Sequence, residues 1–192
     1  MFRRYLLLIR LFLIRNGYKR ATYLRKIKYF HRQGKDCYFQ PYNFGTEPKL
    51  ISFGDNVYLA AGVRIVTHDV IALMLRKKLN REDINERVGA LEFGDNVFIG
   101  SDTTILYDVK IGSNVVVAAG SLVTKDLPDN SICAGRPAKV IGNFQEYENR
   151  MLEYSQEVPW KQWTQSKKQI SDIQEKYFWQ DEPVRPFPKR SK

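Results

Sequence analysis

From Phe93 onward an aliphatic or aromatic residue returns at every sixth position: Phe93, Ile99, Ile105, Ile111, Val117 and Val123. A second register, four residues later, carries mostly small or β-branched residues: Val97, Thr103, Val109, Val115, Ser121 and Leu127. A helix repeats every 3.6 residues and a flat strand every 2, so neither gives a period of six. A chain that turns after each short strand does give it. Three such strands close a triangular coil, and stacked coils form a parallel β-helix whose first-register side chains fill the interior. The residue after each large one is usually Gly or Ala (Gly94, Gly100, Gly112, Ala118), which suits a tight corner. Asp95-Asn96, Ser101-Asp102 and Ser113-Asn114 supply residues that tolerate turn dihedrals. The same pattern occurs earlier at Phe53, Leu59 and Ile65, with Val57 and Val63 beside it.

Between the two runs the hexads break. After Ile65 the next large position falls at residue 71, yet the repeat resumes at Phe93, 22 residues later. An insertion in a solenoid leaves at a corner and sits on one face, often the functional one. Its basic tip, Arg76-Lys77-Lys78, reads as solvated charge. The spacing therefore predicts three parts. Residues 1–36 form a basic amphipathic helical leader. Residues 37–142 form the β-helix, with an inserted loop at about 69–92. Residues 143–192 form an aromatic-rich helical tail that ends in the Pro-rich DEPVRPFPKRSK. Within the β-helix, residues 37–52 read as an irregular first coil with Tyr38 and Phe44 six apart. Pro128-Asp129-Asn130 turns the chain into a less regular last coil through Ile141. All three tryptophans lie in the tail, which is expected to pack on the body or on a neighbouring subunit, with contact to an acceptor as the alternative.

Net charge is +10, and residues 1–36 alone, with eleven Lys or Arg and one Asp, account for it. The rest is balanced, which argues against a nucleic-acid-binding domain. Cys37 and Cys133 are too few for a disulfide framework or a four-thiolate metal site. The apolar runs Tyr5–Ile9 and Leu11–Ile14 are interrupted by Arg10. They fall far short of the roughly 20 apolar residues of a spanning helix. Basic residues continue to Lys35 with no cleavage site, so the expectation is a cytoplasmic protein. Residues 2–32 read as two helices hinged near Asn16-Gly17. Phe2, Tyr5, Leu6, Ile9, Phe12 and Leu13 share one helical face. That face caps the open end of the β-helix, makes peripheral contact with the inner membrane surface, or does both.

The run Ile99 to Gly142 resembles the closing half of hexapeptide-repeat acyltransferases, above all at Ala119-Gly120-Ser121, Val123-Thr124-Lys125-Asp126 and Gly135-Arg136-Pro137-Ala138-Lys139-Val140-Ile141. The likeness extends back through GDNVFIG and GDNVYLAAGVRIVTHDV to cover about residues 37–142. It is nearest to the O-acetyltransferases of sugars and polysaccharides. The resemblance implies an all-β solenoid of left-handed hand, a homotrimer, acetyl-CoA bound between subunits, and a histidine base at a coil corner. Motif positions for the coenzyme carry over to Ser101, Ala119, Gly120, Thr124, Lys125 and Lys139. Arg136 is a further candidate for the coenzyme phosphates. At Phe98 sugar acetyltransferases commonly carry a tryptophan near the acceptor or cofactor, and this chain departs from that pattern.

The chain has two histidines. His31 lies in the basic leader beside Arg32, without an acidic or ligand pattern, whereas His68 stands where the repeat breaks, in Val66-Thr67-His68-Asp69. A sugar hydroxyl is too weak an acid to attack a thioester unaided, and an imidazole within hydrogen-bond reach takes its proton as attack develops. Adjacent Asp69 is one candidate to orient the ring. The expected function is acetyl transfer from acetyl-CoA to a sugar or glycan acceptor, with His68 as general base and no metal. Acetylation of a serine or antibiotic hydroxyl is the alternative, and a non-catalytic β-helix a further one. A zinc enzyme on such a coil needs three imidazoles per metal, which this chain lacks.

Overall fold

Inside each short strand the side chains alternate strictly. β7 (Val97–Ile99) buries Val97 and Ile99 and turns Phe98 outward. The corner that follows resets the alternation, so a local period of two becomes a chain-wide period of six. Both hexad registers therefore point inward, from Phe93, Ile99 and Ile105 to Thr103, Val115 and Ser121. Each large aliphatic or aromatic side chain buried this way contributes about 1.5–3 kcal/mol.

The computed structural model describes residues 2–179, and side chains from Arg4. The strands β1 (Arg32–Gln33), β3 (Ile51–Phe53), β6 (Leu91–Phe93) and β9 (Val109–Ile111) form a first parallel sheet. A second sheet contains β2 (Tyr38–Phe39), β4 (Val57–Leu59), β7, β10 (Val115–Val117), β12 (Ser131–Gly135) and β13 (Ala138–Asn143). The third holds β5 (Arg64–Ile65), β8 (Thr104–Ile105) and β11 (Leu122–Val123). From β3 to β11 the chain visits the three sheets in rotation. Regular coils pair 18 residues apart, as in Val97↔Val115, but β4 and β7 pair 40 apart, as in Val57↔Val97. The difference is the 22-residue insertion, which includes α3 (Ile71–Leu79). β12 and β13 pair antiparallel and end the second sheet.

The corners repeat as closely as the strands. Asn56, Asn96, Asn114 and Asn130 each adopt φ near +56°, a left-handed conformation that Asn tolerates. Their amides form a continuous row, in which each Nδ2 donates to the next Oδ1 at 2.9, 3.0 and 2.9 Å. At Gly100 a Cβ would stand 2.4 Å from the backbone nitrogen of Ala119, so that corner has no room for a side chain.

Two expectations are corrected at the N-terminal end. Phe39, not Tyr38, faces inward, because the first coil is 20 residues long and β2 aligns Phe39 with Leu59. Tyr38 stacks outside on Tyr58 at 5.6 Å. Moreover, β1 lies within the stretch read as helical, so coiling begins before Cys37. Helices α1 (Phe2–Leu13) and α2 (Gly17–Lys26) do hinge at Asn16, whose side chain caps α2. The end of the coil is closed by Leu11, Ala21 and Leu24 packed against Phe30 and Phe39, not by the face containing Tyr5 and Phe12. Buried Arg20 fastens this cap, donating to the carbonyls of Leu11, Ile14, Phe39 and Gln40.

The chain divides into two compact units, with the boundary between Phe144 and Gln145. In the second, which holds most of α4 (Phe144–Glu157) and all of α5 (Lys167–Trp179), Trp160 is buried against Tyr154, Tyr177 and Phe178. The tail aromatics thus pack in part on one another, while Trp163 and Trp179 stay exposed. The Pro-rich segment from residue 181 lies outside the described residues.

Candidate active site

His68 follows β5 at the corner leading from the third sheet to the first, and the insertion departs from the same point. The neck of the insertion is closed by backbone pairing. His68 faces Val88 in an antiparallel bridge, Gly89 N donates to Thr67 O at 2.9 Å, and Asp69 N donates to Arg87 O at 3.2 Å. The imidazole is therefore fixed to a braced backbone rather than to a free loop.

Nδ1 of His68 stands 2.9 Å from Oε2 of Glu47, one coil earlier. The same carboxylate oxygen accepts the hydroxyl of Thr67 at 2.5 Å. Burial raises the Glu47 carboxyl, but hydrogen bonds from Thr46, Thr67 and His68 outweigh it and hold the group below the ordinary glutamate value. An ionised carboxylate only accepts, so the network assigns the proton to Nδ1 and leaves Nε2 as the ring's acceptor. Half-buried between coil and neck, His68 keeps 29 % of its side chain exposed, enough for a reactant to reach it.

Asp69, the sequence neighbour, turns instead to the neck. Its Oδ2 accepts the hydroxyl of Tyr107 at 2.6 Å and its Oδ1 accepts the amide of Ile71 at 3.0 Å. These bonds, the tyrosine's first, hold the aspartate below its usual range. The bond to Asp69 in turn pushes the Tyr107 phenol up. The Arg87 guanidinium lies 4.9 Å from the Tyr107 ring and 3.3 Å from Asp108, joining the far side of the neck to the same group.

The other candidates fall on two edges of the third sheet and beyond it. Ser101, Ala119 and Gly120 occupy the corner entering that sheet, where Gly120 N donates to Ser101 O at 2.7 Å. Gly120 has φ +71°, and a Cβ placed there would meet nothing within 4 Å, so this corner is open on its outer side. Thr124 and Lys125 stand at the corner leaving the sheet, the same edge as His68, and both are exposed. Between the edges the sheet presents Arg64, Thr104 and Leu122 outward in register. Lys139 is on neither edge; it pairs opposite Ala134 in the closing hairpin, and Arg136 lies at that hairpin's exposed turn. Phe98 projects outward, 43 % exposed, between Tyr58 and Val116 on the second sheet. Among the described residues no three His, Cys, Asp or Glu stand close enough to hold a metal.

Sequence reasoning missed Glu47 because its distance from His68 is a property of coil length. The first coil pairs residues 20 apart, so an acid about that far before His68 was the available signal. Arg64 and Thr104 carry no motif and become visible only once the third sheet is laid out.

Residues 92–125 match the family described as bacterial transferase hexapeptide (six repeats). Protein CapG of Staphylococcus aureus is 46% identical over 123 residues, covering 62% of this chain and 70% of that protein. A hexapeptide-repeat acetyltransferase from Vibrio cholerae shares the fold with a TM-score of 0.56 at 21% identity, over 72% of this chain and 86% of the other. A galactoside acetyltransferase solved with coenzyme A superposes with a TM-score of 0.52 at 28% identity, over 68% and 72% of the two chains. The repeat, the braced corner histidine and these likenesses agree: the chain belongs to the hexapeptide-repeat acetyltransferases.

Proposed function

We propose that this protein transfers an acetyl group from acetyl-CoA to a hydroxyl of a sugar in a glycan or polysaccharide precursor, with His68 as general base. The Glu47–His68 pair at the neck of the insertion carries the reading. Nε2 of His68 accepts the hydroxyl proton as the sugar oxygen forms its bond to the thioester carbonyl carbon. The imidazolium so formed is stabilised by Glu47. On collapse the carbon–sulfur bond breaks, and the proton on Nε2 passes to the departing sulfur. The products are the acetyl ester and the free thiol, and no covalent enzyme intermediate forms.

The open corner at Ala119 and Gly120 suits close approach of the pantetheine arm to the backbone, with Ser101 beside it. Exposed Thr124, Lys125, Lys139 and Arg136 supply a hydroxyl and cations for the phosphate end. These assignments rest on motif and placement, supported by the relative solved with coenzyme A. The reading includes a left-handed coil and a trimer whose sites lie between copies. The exposed apolar residues Val70, Ile71, Leu73 and Met74 at the root and first turn of α3 support the second part. A sugar acceptor is favoured over serine or an antibiotic by the galactoside acetyltransferase among the solved relatives.

The test is thiol release from acetyl-CoA against a panel of sugars and glycan precursors, with His68→Ala in parallel. Acceptor-dependent release that falls by about 10²–10⁴ in the variant is expected. Release unaffected by the substitution removes His68 as the base, and release with serine but no sugar replaces the acceptor class.

A further inference from the structure

We infer that the outward face of α1 is a docking surface for an anionic lipid bilayer. One side of the helix, with Leu11 fully buried and Leu7 packed beside it, belongs to the core. On the opposite side Tyr5, Leu6, Ile9, Phe12 and Leu13 form a continuous stripe, exposed at 58, 51, 56, 62 and 70 %. Tyr42 extends the stripe from the first coil, its ring 5.5 Å from that of Phe12. Closure of the coil explains none of these side chains, because other residues perform it.

Charge identifies the occupant. Exposed Arg4, Arg10, Arg15 and Lys19 border or follow the stripe, and Arg25, Lys26 and Lys28 continue the positive surface. The first acidic residue of the chain is Asp36. An apolar stripe surrounded by cations of one sign fits acyl chains beneath anionic headgroups. A second copy of the same face would instead bring like charges together, since neither α1 nor α2 carries a carboxylate. The helix has 12 residues, and no helix among the described residues is long and apolar enough to cross a membrane, so α1 lies in the plane of the surface. Arg20, bonded to the carbonyls of Leu11 and Ile14, already holds the helix end in place, so little ordering remains to be done on contact.

The inference stands apart from the acyl-transfer reading, because vesicle binding is read without turnover. The full chain is sedimented with phosphatidylcholine vesicles, with and without about one third phosphatidylglycerol, at low and high salt. Binding to the anionic vesicles alone, weakened at high salt, is expected. Ile9→Glu with Phe12→Glu lowers it by about tenfold or more, and so does Arg10→Glu with Arg15→Glu. All four side chains are exposed, and each variant gives up one ring contact, Phe12 with Tyr42 or Arg10 with Tyr23, so circular dichroism should report a native helix content and a cooperative unfolding transition for both. No binding, equal binding to neutral vesicles, or undiminished binding by the Ile9/Phe12 variant overturns the proposal. A changed number of subunits in that variant, read by light scattering, also overturns it and assigns the face to contact between copies.

Discussion

A neutral imidazole offers one nitrogen as donor and the other as acceptor, and its neighbours decide which is which. At His68 the carboxylate of Glu47 takes the Nδ1 side, which leaves Nε2 as the acceptor that the proposed base role requires. Glu47→Gln keeps the shape but substitutes an amide that can donate as well as accept, releasing the tautomer. The expected outcome is a loss of about 10²-fold in kcat with little change in KM for acetyl-CoA, read by thiol release. The pH dependence has a definite sign. Because the fold lowers the Glu47 carboxyl, its contribution to stability is complete above the unfolded glutamate value of about 4.3 and is lost as pH falls through the lower folded value. Acid unfolding of Glu47→Gln should lack that component. The position of His68 at the neck of the insertion was legible in the sequence because it marks a break in the repeat. Its partner was not, since nearness between residues 47 and 68 arises only when the first coil closes with 20 residues.

Among the elements, the corners are as regular as the strands and bear load of a different kind. Asn114 sits in the middle of the amide row, donating to Asn130 and accepting from Asn96, with φ +56°. Asn114→Ala breaks both amide contacts and places an alanine in a left-handed conformation, for a loss of about 2–3 kcal/mol. Asn114→Gly loses the same contacts but relaxes the backbone, and should cost about 1 kcal/mol less. Equal urea midpoints for the two variants would show that the backbone conformation is unstrained. Strand positions were readable from hexads because inward side chains must be apolar at every turn. The slip at Tyr38 and Phe39 was not readable, since both residues are aromatic and only the register with Tyr58 and Leu59 decides which is inside. The exposed stripe on α1 was visible as a pattern, but its freedom from the cap depended on Leu11 and α2 doing the closing.

For the molecule as a whole, the insertion is an appendage to a coil that is continuous without it. Gly89 N bonds Thr67 O across the neck, and β3 pairs directly with β6 despite the excursion. Replacing residues 71–87 with a short Gly-Ser link removes buried Ala72 and the contacts of Arg87 but no part of the coil, and should lower unfolding free energy by about 1–3 kcal/mol, as measured in urea. The proposed transfer to a sugar should be lost or strongly reduced in thiol release, because Arg87 and the far side of the neck go with the segment. Wild-type turnover by the shortened chain would exclude the insertion from acceptor binding. The closing hairpin has a consequence of its own. β13 returns antiparallel along β12, so the second sheet ends on a strand running against all the others, while α2 and Arg20 occupy the opposite end. For the second sheet, a parallel strand from another molecule meets an antiparallel edge at one end and α2 at the other, which disfavours end-to-end addition along it. Lengthening from within goes in steps of 18 residues: a duplicated coil spliced between Phe93 and Gly112 would meet the same inward pattern above and below, and leave both ends and the His68 corner as they are.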